Sequence, residues 1–231
     1  MSVDEALAAF AKLGFCKYEV FTSWAAPFDV DADPQLYLDK GAEHGIAFTS
    51  LHLPPVDDDL SIDRAVNAAR FAKALGAHIV LFKATNRANY ISAARPFLDA
   101  ITGLGVTPVL QNHFGTAISS LDDFREVLDG IRDLRMKTLL EVGHFHSAGV
   151  GWREACDLLG DSIALVHIKD QVGPQSVPFG TGEIDLLGLF AHMRSAGYAG
   201  DYVVEMEVED KENTLQYLAD AVRYLEQNCE E

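Results

Sequence analysis

Three short apolar runs in this 231-residue chain end in side chains that bind metals or move protons. They read VLQNHFG (Val109–Gly115), LLEVGHFH (Leu139–His146) and ALVHIKD (Ala164–Asp170). A fourth, DYVVEMEVED (Asp201–Asp210), carries Glu205 at the matching place. Glu141 and His144 form an E-x-x-H pair whose spacing lets a strand-end carboxylate and an imidazole on the following loop turn into one cavity. With His167 and Glu205 they make a carboxylate–imidazole set of the kind that suits Mn²⁺, Mg²⁺, Co²⁺ or Zn²⁺. His52 and His113 also sit at run ends, where they can hydrogen-bond a polyol, and His146 is read as a pocket wall or substrate contact. Lys83 and Lys169 end apolar runs in a very acidic chain. There a lysine holds a phosphate or carboxylate or stabilises an enolate. Trp24 and Phe28 are candidates for stacking on a sugar face. Each residue also has a plainer use: a solvated acid, a satisfied histidine, a Lys169 salt bridge to Asp170 or Glu141, or aromatic packing.

Side chains at the ends of otherwise apolar runs need strands buried on both faces. A parallel sheet provides this, with its chemistry at the carboxyl edge. The pattern along the chain agrees. Helical periods cover Val3–Leu13, Asp33–His44, Ile62–Leu75 (with Ser61 as its cap), Tyr90–Leu104, Leu121–Ile131, Gly151–Leu159, Ile184–Ser195 and Asn213–Gln227. Strands fall between them at Phe15–Thr22, Gly45–Leu53, Ala77–Lys83, Val106–Asn112, Lys137–Val142, Ser162–Lys169 and Asp201–Val208. Gln171–Gly182 is a loop, with Ser176–Phe179 a candidate eighth strand. The repeat implies βαβ units with right-handed crossovers. The expectation is an α/β fold over residues 1–231 as one domain: a TIM-type barrel of seven main strands lacking its first strand. The gap should lie between Phe15–Thr22 and Asp201–Val208, covered by a loop or by the partner in a homodimer.

Composition narrows the function. The net charge of −17 repels phosphodiester backbones and argues against nucleic-acid binding. Three scattered cysteines form no CxxC pair, the N-terminus reads as an acidic amphipathic helix and not a signal peptide, and no apolar run suits a membrane span. A cytoplasmic protein is the expectation. FGTGEID (Phe179–Asp185) lacks the Lys-Ser of a phosphate loop and the third glycine of a dinucleotide turn.

At SLHLP (Ser50–Pro54), QNHFG (Gln111–Gly115), EVGHFHSAG (Glu141–Gly149), VHIKD (Val166–Asp170), GTGEID (Gly180–Asp185) and YVVEMEVE (Tyr202–Glu209) the chain resembles the sugar phosphate isomerase/epimerase superfamily of xylose isomerase-like TIM barrels. The resemblance implies a divalent metal held by Gln111, Glu141, His167 and Glu205, with His144 as a pocket histidine. Gln111 stands where the family has glutamate, and Glu141 where it has aspartate. The family's epimerases are thought to use two glutamates as paired acid and base, and Gln111 cannot accept a proton. The resemblance therefore implies enolisation beside a sugar or polyol carbonyl, with Glu205 as base and His144, His167 or Lys169 steadying the oxyanion. Isomerisation or β-elimination (dehydratase or lyase chemistry) fits one base better than epimerisation. The alternatives are a non-catalytic sugar-binding or regulatory barrel, and an endonuclease IV-like hydrolase, which the net charge disfavours.

Overall fold

Alternating helix and strand periods fold as helix–strand units around one sheet in a computed structural model that describes residues 2–23 and 26–229. In chain order the elements are α1 (Val3–Leu13), β1 (Lys17–Val20), α2 (Gln35–His44), β2 (Ala47–His52), α3 (Asp59–Ala74), β3 (Ile79–Leu81), α4 (Arg87–Ala100), β4 (Thr107–Gln111), α5 (Leu121–Ile131), β5 (Lys137–Glu141), α6 (Val142–Ser147), α7 (Trp152–Leu159), β6 (Ile163–Ile168), β7 (Asp170–Val172), β8 (Gln175–Val177), α8 (Leu186–Ser195), β9 (Tyr202–Val204) and α9 (Thr214–Cys229). Local chemistry sets the boundaries. Ser2 and Glu5 make a reciprocal cap at the start of α1, and Gly14, at φ +98°, ends it in the left-handed conformation that suits glycine. Among the described residues no helix is long and apolar enough to cross a membrane.

The fold is a TIM barrel with a seven-stranded, nearly closed parallel sheet in the order β1-β2-β3-β4-β5-β6-β9. Alternation along the strands divides the core in two. Ile79, Leu81, Val109, Leu139 and Leu165 form the inner cluster, with Ala164 and Val203 against it. Val80, Leu110, Leu140, Val166 and Ile168 point the other way, into the larger core beneath the helices. Burying each such side chain contributes about 2 kcal/mol, so the inner cluster is a packed plug, not a pore.

The break in the ladder lies between β1 and β9, as the sequence predicts. Side chains cross it. Lys17 Nζ lies 2.5 Å from Asp201 Oδ1, and Thr49 Oγ1 donates to the other Asp201 oxygen. Outside this seam α1 packs on α9.

Four local expectations are corrected. Ser176–Phe179 does not form a barrel strand, because β8 pairs only with β7, as an antiparallel hairpin inside the stretch read as a loop. α3 is capped by Asp58, whose side chain accepts the Ser61 N–H while Ser61 answers from the third helical position. Phe28 is 2% exposed and packs on Tyr18, Tyr37 and Phe48, leaving no face for a sugar. His144 lies not on a loop but in the first turn of α6, a six-residue helix too short to show a period.

Candidate functional site

The ends of β5, β6 and β9 bring their acids and histidines together because the strands are adjacent and parallel. Register sets Glu141 beside His167, and Glu205 follows β9 with its N–H on the Ile168 carbonyl. Asn112, just past β4, uses its amide to donate to the Glu141 carbonyl at 3.0 Å and accept the Glu141 N–H at 3.1 Å. That pair fixes the backbone beneath the Glu141 carboxylate. Glu141 Oε1 accepts the N–H of Gly143, tying the side chain to the first turn of α6. A Cβ on Gly143 would lie 2.3 Å from the Lys169 stem, so glycine is what lets that turn rest on the lysine.

His167 Nδ1 lies 3.3 Å from Glu141 Oε2 and 3.7 Å from Glu205 Oε2. Lys169 Nζ lies 2.9 Å from Glu205, 2.8 Å from Glu207 and 3.9 Å from Glu141. Its closest ion pairs are thus with Glu205 and Glu207; of the two partners the sequence offered, Glu141 is a third and more distant one, and Asp170 is not among them. His144 Nε2 lies 3.9 Å from Glu207, and its ring sits against His113, centroids 3.8 Å apart. Glu141, His167 and Lys169 are fully buried.

Burial disfavours charge here and the neighbours decide who keeps it. Burial and the adjacent Glu205 push Glu141 up to about 7, with Lys169 opposing. Burial would raise Glu205 too, but the Glu141 proton, His167 and Lys169 hold it well below the usual carboxylate range. The two acids of the buried pair are thus driven apart in pKa. Burial would lower His167 and Lys169, and the surrounding glutamates raise both instead. His144 is pushed down to about 3, by burial first and then by Lys169 and His113. It is neutral, with a free lone pair.

Glu141 Oε2, His144 Nε2, His167 Nδ1 and Glu205 Oε2 are all buried atoms without a hydrogen-bond partner of ordinary geometry. The ligand atoms of Glu141, His144 and Glu205 lie within 4.8 Å of one another. Atoms each ~2.1 Å from a tetrahedral cation lie about 3.4 Å apart, close to the His167 separations. The donor set thus fits a divalent ion. His113, His144 and Glu207 form a second such group, sharing His144.

The other sequence candidates lie around this cluster. Gln111 is the half-buried last residue of β4. Lys83 follows β3, where burial lowers its ammonium against the pull of Glu19 and Glu205. His113 is exposed at the mouth. His146 faces outward, 3.2 Å from Glu183, beside a cavity of about 280 Å³ lined also by Trp152 and Arg153. His52 is buried on Glu19. Trp24 lies outside the described residues. A larger cavity, about 390 Å³, opens at the opposite end of β6 beside Cys156 and Tyr198.

Sequence reasoning missed Glu19 and Glu207. Glu207 was signalled by the alternation in EMEVE, which puts it on the same side as Glu205. The signal for Glu19 was weaker: one acid between Tyr18 and Val20 in a half-buried strand.

Residues 7–228 match the family described as xylose isomerase-like TIM barrel, and the chain belongs to that family. Among its relatives, a protein named inosose dehydratase from Geobacillus thermodenitrificans (strain NG80-2) is 25% identical over 152 residues, covering 57% of this chain and 51% of the relative. The L-ribulose-5-phosphate 3-epimerase UlaE of Salmonella paratyphi C (strain RKS4594) is 39% identical over 61 residues, 26% of this chain and 22% of the enzyme. The matches thus span about half of the first relative and about a fifth of the second. The solved structure of the IOLI protein with a binding zinc atom superposes with a TM-score of 0.78 at 16% identity, over 98% of this chain and 92% of the other, a likeness of fold.

Proposed function

We propose that this chain is a divalent-metal-dependent enzyme acting on a sugar or related polyol by proton transfer at the carbon beside a carbonyl, as an isomerase or a dehydratase. One observation carries the reading: four buried ligand atoms, from Glu141, His144, His167 and Glu205, none with a hydrogen bond of ordinary geometry, gather at the carboxyl edge of the sheet. The relatives supply the substrate class, since one is named a dehydratase of inosose and another an epimerase of a ketose phosphate. That the IOLI protein, which shares this fold, is named as binding a zinc atom supports a divalent cation here.

Glu141, His167 and Glu205 would hold the ion, with Gln111 and His144 as further ligands. A divalent ion there would supply Lewis-acid polarisation of the carbonyl. Glu205, ionised beside Lys169, takes the proton from the neighbouring carbon. Lys169 and His144 face the oxygen where negative charge develops. In an isomerase the proton returns to the adjacent carbon; in a dehydratase a hydroxyl leaves as water with a proton from the site. Gln111 cannot exchange a proton, which favours these one-base outcomes over epimerisation. His52, His113, Lys83, His146 and Trp24 are the candidates for substrate contact.

Metal analysis of the purified chain should give about one divalent ion, and Glu205→Gln or His167→Ala should remove most of it, since losing a ligand typically cripples a site. Incubation in D₂O with ketoses and inososes should place deuterium beside the carbonyl, and Glu205→Gln should abolish the exchange. Tight sugar binding without exchange would identify a non-catalytic sugar-binding barrel instead.

A further inference from the structure

Glu19 has no place in the reaction just described, yet it is one of the most heavily constrained acids in the molecule. It lies on β1 and is 7% exposed. Ser50 Oγ donates to its Oε2 at 2.5 Å, His52 Nε2 lies 2.7 Å from its Oε1, and His167 Nε2 lies 3.2 Å from its Oε2. Ser50 and His52 belong to the adjacent β2, but His167 belongs to β6, which is not a neighbour of β1. The contact therefore crosses the barrel interior. The ring of Phe21 lies 4.2 Å from that of His52, which helps fix the second partner. Two groups thus hold the carboxylate in place independently of His167.

An ionised carboxylate only accepts hydrogen bonds, so the His167 nitrogen facing it must carry the proton. That nitrogen is Nε2. The other, Nδ1, faces Glu141 and Glu205 and becomes the ligand atom when a cation takes the place of its proton. Metal-binding histidines commonly donate their second N–H to a carboxylate, which sets ring orientation and raises ligand basicity.

We infer that Glu19 is the positioning residue of the cation site, anchored by Ser50 and His52 and holding His167 so that Nδ1 is its ligand atom. The inference rests on the reading of the four strand-end atoms as a divalent-ion site. Glu19 touches neither substrate nor ion.

The test uses the full chain, zinc ion alone, and two readouts that need no turnover. Competition with a chromophoric chelator gives the zinc dissociation constant. Long-range ¹H–¹⁵N spectra of histidine-labelled protein show which His167 nitrogen binds zinc. In the unsubstituted chain zinc should sit on Nδ1 with the proton on Nε2. Glu19→Gln and Glu19→Ala should weaken zinc binding ~10–100-fold, and in Glu19→Ala His167 should no longer bind through Nδ1 alone. Glu19→Asp should recover part of the affinity. Circular dichroism establishes that each variant is folded. If the Glu19 variants fail to fold, Ser50→Ala decides, since it removes one anchor and touches neither histidine. A several-fold weaker zinc constant supports the inference and an unchanged one overturns it. Folded Glu19 variants that keep wild-type affinity, or zinc on Nε2 in the unsubstituted chain, would sink this inference alone. An unsubstituted chain that takes up no zinc would sink the metal-site reading with it.

Discussion

At the scale of single residues, a buried site with more acids than bases must hold either protons or a cation. Glu19, Glu141, Glu205 and Glu207 face Lys169 and His167, and burial with Glu205 pushes the Glu141 carboxyl up to about 7, into the neutral range. Gln111 bears on that balance, since an amide adds no further charge. If it only tunes a bound ion, Gln111→Glu should tighten zinc binding about tenfold, because affinity rises with the number of charged ligands. The same change should create no epimerase activity. Zinc titration and a ketose epimerisation assay measure the two, and a clear gain in epimerisation would contradict the single-base reading. Glu141, His144, His167, Lys169 and Glu205 were legible because each ends an apolar run or follows at fixed spacing. Glu19 was not legible, because its partners lie 31, 33 and 148 residues away and spacing carries no trace of them.

At the scale of elements, helices and sheet strands were readable from period and caps, whereas the β7–β8 hairpin and α6 were too short to carry one. One buried acid gathers four of the hairpin loop's N–H groups. Asp170 Oδ2 accepts the N–H groups of Gly180 and Gly182, and Oδ1 those of Gln171 and Ile184. A Cβ on Gly182 would meet Asp170 Oδ1 at 2.1 Å, so the glycines of GTGEID bring backbone N–H groups close to this carboxylate. They resemble an anion loop because they serve an internal anion. Asp170→Asn turns one acceptor oxygen into a donor facing two N–H groups, whichever way the amide sits. Leaving buried donors unpaired costs about 1–3 kcal/mol each. A loss of about 3 kcal/mol, or roughly 6–12 °C in Tm for a chain of this size, is expected. Limited proteolysis should then cut first between residues 171 and 184. An unchanged Tm would show that the four bonds stabilise little.

For the whole molecule, seven strands and the position of the break were legible from counting helix–strand units. What bridges the break was not, since it depends on side chains 184 and 152 residues apart. Asp201 accepts from Lys17 on β1 and from Thr49 on β2, so one carboxylate ties three strands where the ladder stops. Burial would raise its pKa, but Lys17 and Thr49 outweigh burial and hold it below the usual carboxylate range. An acid depressed in the folded state stabilises the fold above its unfolded pKa, and the contribution is lost as pH falls through the folded value. Lys17 is half exposed, so solvent screens the pair and the ionic part is worth no more than about 1 kcal/mol. Asp201→Asn should therefore lower Tm by about 2–4 °C at pH 7. The gap between variant and parent should close as pH falls from about 4 toward 2, the range below the unfolded aspartate pKa. Thermal unfolding of both proteins across that range tests this. A gap that persists undiminished at pH 2 would mean that the seam is held by the shape of the Asp201 side chain and not by its charge.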